Sequence, residues 1–229
     1  MDHELDNPVW NALISGNQSL ALGTETVKFF ADDVAPFVGL KEYTFENFDI
    51  LYNHIKDGRR CVVVSTNEIL FPGSWEIIES LHVLQMVYAN TFIKSLGNKN
   101  IISLGEQNTE EMIQLTELTH PGPFKNGTIR FGHYEGIFDN GKLVAMAGQR
   151  LHPCPYAEIS AVCTHPDFMK KGLATQLILS QIFRIRSSSE IPFLHVVDHN
   201  MKAIKLYNDL GFTKRSDIHI YVIKKILRR

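Results

Sequence analysis

One stretch of the chain carries residue types in an order that suits an anion: Ala161-Val162-Cys163-Thr164-His165-Pro166-Asp167-Phe168-Met169-Lys170-Lys171-Gly172-Leu173-Ala174. A strand-like run ends, a proline turn follows, and two lysines lead into a glycine that opens an apolar-periodic segment. The first turn of a helix presents N–H groups with no intrahelical partner, at the positive end of the dipole. Gly172 lets a ligand approach the backbone, Ala174 keeps the first turn open, and Lys170 and Lys171 add charge. A pyrophosphate would use all of these features, and an ordinary basic strand-to-helix loop would show them too. The Walker order of glycine, lysine and hydroxyl is missing, since Leu173 follows Gly172.

The elements that must hold this loop are legible around it. Residues 156–164 read as a strand, and the helix opening at Gly172 has Ala174, Leu177, Ile178, Ile182 and Ile185 on one stripe, with Arg184 and Arg186 near its C-terminus. Pro192 precedes a strand at 193–197. Asn200 is an N-cap for a helix over 201–210, Gly211 ends it, and 218–223 forms a closing strand. Upstream, 101–104 reads as a strand. A helix begins at Thr109 with Glu110 and Glu111 in its first turn, runs to about residue 118, and is broken by His120-Pro121-Gly122-Pro123-Phe124. Residues 134–138 and 143–151 flank Asn140-Gly141, whose tolerance of positive φ marks a hairpin. The order β-α-β-β-β-α-β-α-β predicts an α/β fold with a mixed, mostly antiparallel sheet and helices on both faces.

The N-terminal part reads as further α/β structure: strands at 27–30 and 61–64, a helix at 45–55 with Phe45, Phe48, Leu51, Tyr52 and Ile55 in register, and a segment at 80–88 open to helix or strand, with strand favoured over 83–88. Leu96-Gly97-Asn98-Lys99-Asn100 is the best boundary candidate, dividing 1–98 from 99–229. The chain has 229 residues, 44% hydrophobic and 21% charged, with a net charge of -2. That balance excludes disorder and gives no basic surplus for nucleic acid. No apolar run reaches the roughly 20 residues of a membrane span. The acidic start and three scattered cysteines, Cys61, Cys154 and Cys163, lead to the expectation of a cytoplasmic protein without disulfides.

Two separated motifs in this order resemble a known family. His165-Pro166 through Ala174, continuing into Asn200-x-x-Ala203-x-x-Leu206-Tyr207-x-x-Leu210-Gly211-Phe212, resembles the acetyl-CoA-binding core of the GCN5-related N-acetyltransferases (GNAT). Glu158-Ile159-Ser160-Ala161-Val162-Cys163-Thr164-His165-Pro166 and Pro192-Phe193-Leu194-His195-Val196 are similar to its FR47-like branch, and the core match spans about 101–229. The resemblance implies that Lys170, Lys171, Gly172, Leu173, Ala174 and Thr175 hold the coenzyme A pyrophosphate. It implies that Val162, Cys163 and Thr164 pair with the pantetheine arm where their strand splays from 193–197. Asn200 and Ala203 would contact the cofactor, and Tyr207 would also protonate the leaving thiolate. Met169 departs from the Arg or Gln usual at its position.

Amine acetylation needs a neutral amine, a polarised carbonyl and a protonated leaving group. Glu158 is the first candidate base, because it lies on the strand leading to the cofactor. Strand alternation places Glu158, Ser160 and Val162 on one face and Ile159, Ala161 and Cys163 on the other. A structural role for Glu158 is the competing reading. His195 and Asp198 are further candidates, and His195, Phe124 and Tyr134 are candidate contacts for the acceptor. Cys163 reads better as a small strand residue than as a nucleophile. His152-x-Cys154 and Cys163-x-His165 have zinc-ligand types, yet no Cys-x-x-Cys knuckle accompanies them, so no metal is expected. The expectation is an acyltransferase, EC 2.3.1 class, that moves acetyl from acetyl-CoA to a small amine or amino-acid-like acceptor in a ternary complex. An acyl-CoA sensor without turnover is the alternative. A monomer and a homodimer are both compatible with the sequence. Residues 1–98 are expected to wall the acceptor site, with a degenerate half of the same fold as one form they could take.

Overall fold

The computed structural model describes residues 3–90 and 100–227; the boundary stretch 96–99 lies outside the described residues. After a short helix α1 (Pro8–Leu13), the strands β1 (Ala21–Gly23), β2 (Val27–Phe30) and β3 (Val38–Leu40) form a small antiparallel sheet. Helix α2 (Phe45–His54) is capped by Thr44, whose side-chain oxygen accepts the Asn47 N–H. Next come β4 (Arg60–Ser65) and β5 (Trp75–Tyr88). The C-terminal part supplies β6 (Ile101–Ser103), α3 (Thr109–Thr119), β7 (Glu135–Asp139), β8 (Lys142–Gln149), β9 (Tyr156–Thr164), α4 (Leu173–Ser187), β10 (Ile191–Val197), α5 (Met201–Leu210) and β11 (Phe212–Lys225).

Eight of these strands form one sheet in the order β4-β11-β5-β10-β9-β8-β7-β6. Every neighbour pair is antiparallel except β9 and β10. The expected mixed sheet with helices on both faces is therefore what the chain forms. The sheet does not divide near residue 98: β5 lies between β10 and β11 and pairs with both. Among the described residues, those of the N-terminal part are thus built into the main sheet and form no second copy of the fold. They give the small sheet, α1, α2 and two strands of the main sheet, and Leu5, Val9 and Leu13 share a core with Met112, Leu115, Cys163 and Phe193.

The local reasons are those read from the sequence. Asn140 and Gly141 turn the β7–β8 hairpin with φ of 48° and 77°. The α4 stripe Leu177, Ile178, Ile182 and Ile185 is buried; the three isoleucines share a core with Ile159, Leu194 and Phe212, and Leu177 packs with Ile137, Val144 and Ala147. Asn200 Oδ1 accepts the Ala203 N–H at 3.2 Å, and Gly211 closes α5 at φ 101°. Both β5 and β11 run well beyond the predicted 83–88 and 218–223, because each pairs with the other along nearly its whole length. No helix among the described residues is long and apolar enough to cross a membrane.

Candidate active site

Two strands part at the site. Strands β9 and β10 pair in parallel at Ile191–Tyr156, Pro192–Ala157 and Phe193–Glu158, and pairing stops there. Beyond that point β10 continues along β5, with His195 opposite Gln85 and Val197 opposite Val83, while β9 continues along β8. The residues of β9 past Glu158 face β10 across a gap, where strand-edge N–H and C=O groups can meet an extended ligand.

Inside that gap β9 carries a bulge. Ser160 pairs with Gly148 and Cys163 with Met146, so Ala147 faces two residues, Ala161 and Val162. Ala161 takes φ 52°, a conformation that a non-glycine residue adopts at a cost. The extra residue inverts the alternation. Val162 packs with the α4-side core that includes Ile159, whereas Cys163 packs in the opposite core. The expected grouping of Val162 with Glu158 and Cys163 with Ile159 is corrected on this ground: straight alternation counts no bulge. Cys163 is buried, and burial pushes its thiol up to about 11 against hydrogen bonds from Thr119 and the Met146 backbone. It stays a neutral thiol at the strand.

At the open end of the gap, the chain turns through a 3-10 turn (Pro166–Phe168) into α4. His165 Nδ1 accepts the Asp167 N–H at 3.3 Å, and Lys171 Nζ lies 4.3 Å from the Phe168 ring centroid. Lys170 and Gly172 both adopt left-handed backbone, φ 63° and 74°. Gly172 is the N-cap of α4, and no side chain caps the helix. A Cβ at Gly172 would meet nothing within 4 Å, so the space before the first turn is open. A concavity of about 230 Å³ lies here, lined by Thr164, Phe168, Lys170, Gly172 and Ala174 from this loop and by Leu206 from α5. The Thr164 hydroxyl is buried without a partner in the protein. Uncapped helix N–H groups, two lysines and an orphaned hydroxyl fit a phosphate-bearing ligand. Leu173 and Thr175 complete the lining, beside exposed Met169. Asn200 spends its side-chain oxygen on the helix cap, and Ala203 packs against the core under α5.

Tyr207 lies on the inner stripe of α5, half-buried, with its ring 6.0 Å from Phe212. Burial raises its hydroxyl to about 12, so it carries its proton throughout the neutral range.

On the opposite face, Glu158 is wholly buried. Arg150 Nε and a terminal nitrogen donate to its two oxygens at 2.9 and 2.6 Å, the Leu151 N–H adds a third donor at 3.3 Å, and His195 Nδ1 lies 2.8 Å from Oε1. Burial alone would raise this carboxyl; the Arg150 charge and these hydrogen bonds outweigh it and hold the carboxyl well below the usual carboxylate range. His195 Nε2 in turn meets the Gln85 amide at 3.2 Å. The sequence reading brought Glu158 and His195 forward and missed Arg150 and Gln85. A signal for Arg150 was present: it and Glu158 stand symmetrically about the Pro153-Cys154-Pro155 turn, as cross-strand partners must.

The remaining candidates separate. Tyr134 is 2% exposed, its ring fills the space beside Gly148, and burial raises its hydroxyl. It is a core residue, and its expected place lining the acceptor site is corrected accordingly. Phe124 is half-buried and packs edge-on to Tyr134 at 5.6 Å. Asp198 pairs with neighbouring His199 at 3.1 Å in the turn before α5. Among the described residues no group of three or more His, Cys, Asp or Glu side chains converges on a metal position.

The family model for FR47-like proteins matches residues 134–222. A solved GNAT-family protein of Novosphingobium aromaticivorans is 32% identical, aligns over 99% of this chain and 100% of its own, and superposes with a TM-score of 0.92. A GCN5-related N-acetyltransferase from Kribbella flavida, 12% identical over 95% of both chains, superposes at 0.60. A GNAT-family acetyltransferase from Colwellia psychrerythraea, 16% identical over 72% of this chain and 65% of its own, superposes at 0.53. No curated protein is significantly similar in sequence.

Proposed function

Because the chain belongs to the GNAT family of acetyltransferases, in its FR47-like branch, we propose that it transfers the acetyl group of acetyl-CoA directly to a primary amine of a small or amino-acid-like acceptor. The observation that carries this reading is the parting of β9 and β10 next to an uncapped, glycine-opened helix. The gap suits an extended pantetheine arm, and the helix end suits the pyrophosphate.

Lys170, Lys171 and the first-turn N–H groups at Leu173, Ala174 and Thr175 hold the phosphates, with the Thr164 hydroxyl as a further contact. Val162 and Cys163 flank the arm, and the β9 backbone along the gap offers N–H groups to the charge that grows on the thioester oxygen. Tyr207 keeps its proton in the ground state and gives it to the departing thiolate. Glu158 is wholly buried with its oxygens held by Arg150 and His195, so we assign proton removal from the amine to His195 Nε2, which leaves the Gln85 amide as it takes the proton while Glu158 holds the imidazole from the other side. The N-terminal part lies on the acceptor side and is anchored there by Leu5, Val9 and Leu13, which pack in the shared core behind it.

The test is turnover of acetyl-CoA against a panel of primary amines, with calorimetry for coenzyme A. Acetylated product with at least one amine supports the reading. Coenzyme A binding with no product from any class of amine would replace it with that of an acyl-CoA sensor.

A further inference from the structure

The polar chain around His195 has a direction, and the direction is set by Arg215 and by the Leu5 carbonyl. The Arg215 guanidinium can only donate. It gives one N–H to Asp6 Oδ1 at 2.5 Å and another to Gln85 Oε1 at 2.8 Å. This decides which end of the buried Gln85 amide is oxygen. The amide nitrogen therefore donates on its other side, to the Leu5 carbonyl at 3.0 Å and to His195 Nε2 at 3.2 Å. Nε2 is left as the acceptor of the ring, and the ring proton sits on Nδ1, donated to Glu158 Oε1 at 2.8 Å. Arg150 fixes Glu158 from beyond, closing a chain that runs Asp6, Arg215, Gln85, His195, Glu158, Arg150.

We infer that Gln85 is the positioning residue of the acceptor site: pinned by Arg215 and the Leu5 carbonyl, it holds His195 as the tautomer whose lone pair is on Nε2. The charged groups around the ring are Glu158 on β9, Arg150 just after β8, Arg215 on β11 and Asp6 in the N-terminal 3-10 turn. The Phe193 ring, edge-on at 5.6 Å, gives the imidazole an apolar wall. The part this plays in turnover rests on the reading of His195 as base; the tautomer itself does not. In the catalytic step the amine proton passes to Nε2, the amine nitrogen keeps the electron pair that attacks the thioester, and Glu158 stays ionised against Nδ1–H. An Nε2–H then faces the Gln85 N–H, so the contact opens, and it reforms only when the proton leaves. Gln85 thereby favours the return of His195 to its receptive form.

Nitrogen NMR of labelled histidines in the full chain, with His195→Asn for assignment, reads the tautomer directly. The expected result at neutral pH is a proton on Nδ1 and a bare Nε2. Arg215→Met removes one of the two groups that fix the amide and leaves the Leu5 carbonyl, so the Nε2–H tautomer gains population without replacing the other. Gln85→Glu sets an acceptor against Nε2 and gives a ring protonated on both nitrogens. Wild-type protein with its proton on Nε2 would overturn the inference, as would Gln85→Glu with the wild-type tautomer. Turnover supplies the second readout. Arg215→Met should lower kcat roughly 10-fold, the lesser range for a group that orients a functional imidazole, with coenzyme A affinity unchanged. Gln85→Glu should lower it ~10²-fold or more, as loss of a general base does. The expected tautomers with wild-type kcat in both variants would remove His195 as the base, and with it the part of Gln85 in turnover.

Discussion

Replacing Gly172 with aspartate places a full negative charge at the mouth of α4. The backbone there has φ 74°, and a Cβ meets nothing within 4 Å. Aspartate and asparagine are the side chains that tolerate left-handed backbone best, so the fold loses no more than about 1 kcal/mol. The electrostatic effect is larger. A carboxylate about 5 Å from a phosphate charge costs roughly 1.5 kcal/mol in surroundings midway between a protein surface and bulk water. A pyrophosphate carries about two such charges, so the penalty is about 3 kcal/mol, or roughly 10²-fold in Kd. Calorimetry with coenzyme A measures it directly, and the defect of Gly172→Asp should shrink as salt is raised. Gly172→Asn has the same shape without the charge and should lose less than ~10-fold. Wild-type affinity in Gly172→Asp would refute the phosphate assignment. Equal losses in Asp and Asn would show that shape, not charge, governs the loop.

Tyr207→Phe keeps the ring against Phe212 and removes only the hydroxyl, so turnover should fall ~10²-fold while coenzyme A binding holds, as single-turnover and calorimetric measurements would show. Arg150→Met strands the wholly buried Glu158 carboxylate and should cost about 3–5 kcal/mol in urea unfolding at neutral pH. The carboxyl of Glu158 is depressed in the folded chain, so its contribution to stability is complete above its ordinary value of 4.5 and is lost as pH falls below it; Glu158→Gln should flatten that acid limb of the unfolding free energy. Gly148→Ala drives a methyl to 2.2 Å from the Tyr134 ring and should destabilise by about 1–3 kcal/mol, seen as a lowered Tm.

Local chemistry carried much of this architecture in the sequence. The Asn140-Gly141 turn, the Asn200 cap, the Gly211 stop and the α4 stripe each follow from one or two residues acting on their own backbone, and the structure has them where the pattern placed them. Pairing across the chain was not legible. Nothing in the composition of 75–88 says that its partners lie at 193–197 and 212–225, so the N-terminal part read as a separate unit. The bulge at Ala161 escaped for a related reason: alanine carries no signature of left-handed backbone, and one inserted residue reverses every face after it. The loop at Lys170 to Ala174 was legible because its backbone geometry at the start of α4 is one that glycine announces. The polar chain from Asp6 to Arg150 was not, because its six members come from six separate segments.

The position of β5 also bears on how the molecule comes into being. Its partners are synthesised more than a hundred residues later, so during translation 60–88 must wait with unpaired edges until β10 and β11 leave the ribosome. Such long-range pairing makes loop closure costly and folding slow, and exposes the waiting strands to association with other chains. It also sets where the gene can be cut. A fragment starting at residue 99 would retain the loop at Lys170 to Ala174, the hairpin and Tyr207, yet it would lack the strand that separates β10 from β11. That strand is internal to the sheet, so the fragment would expose the edges of β10 and β11 that β5 covers in the whole chain, and the main sheet depends on strands from both sides of residue 98.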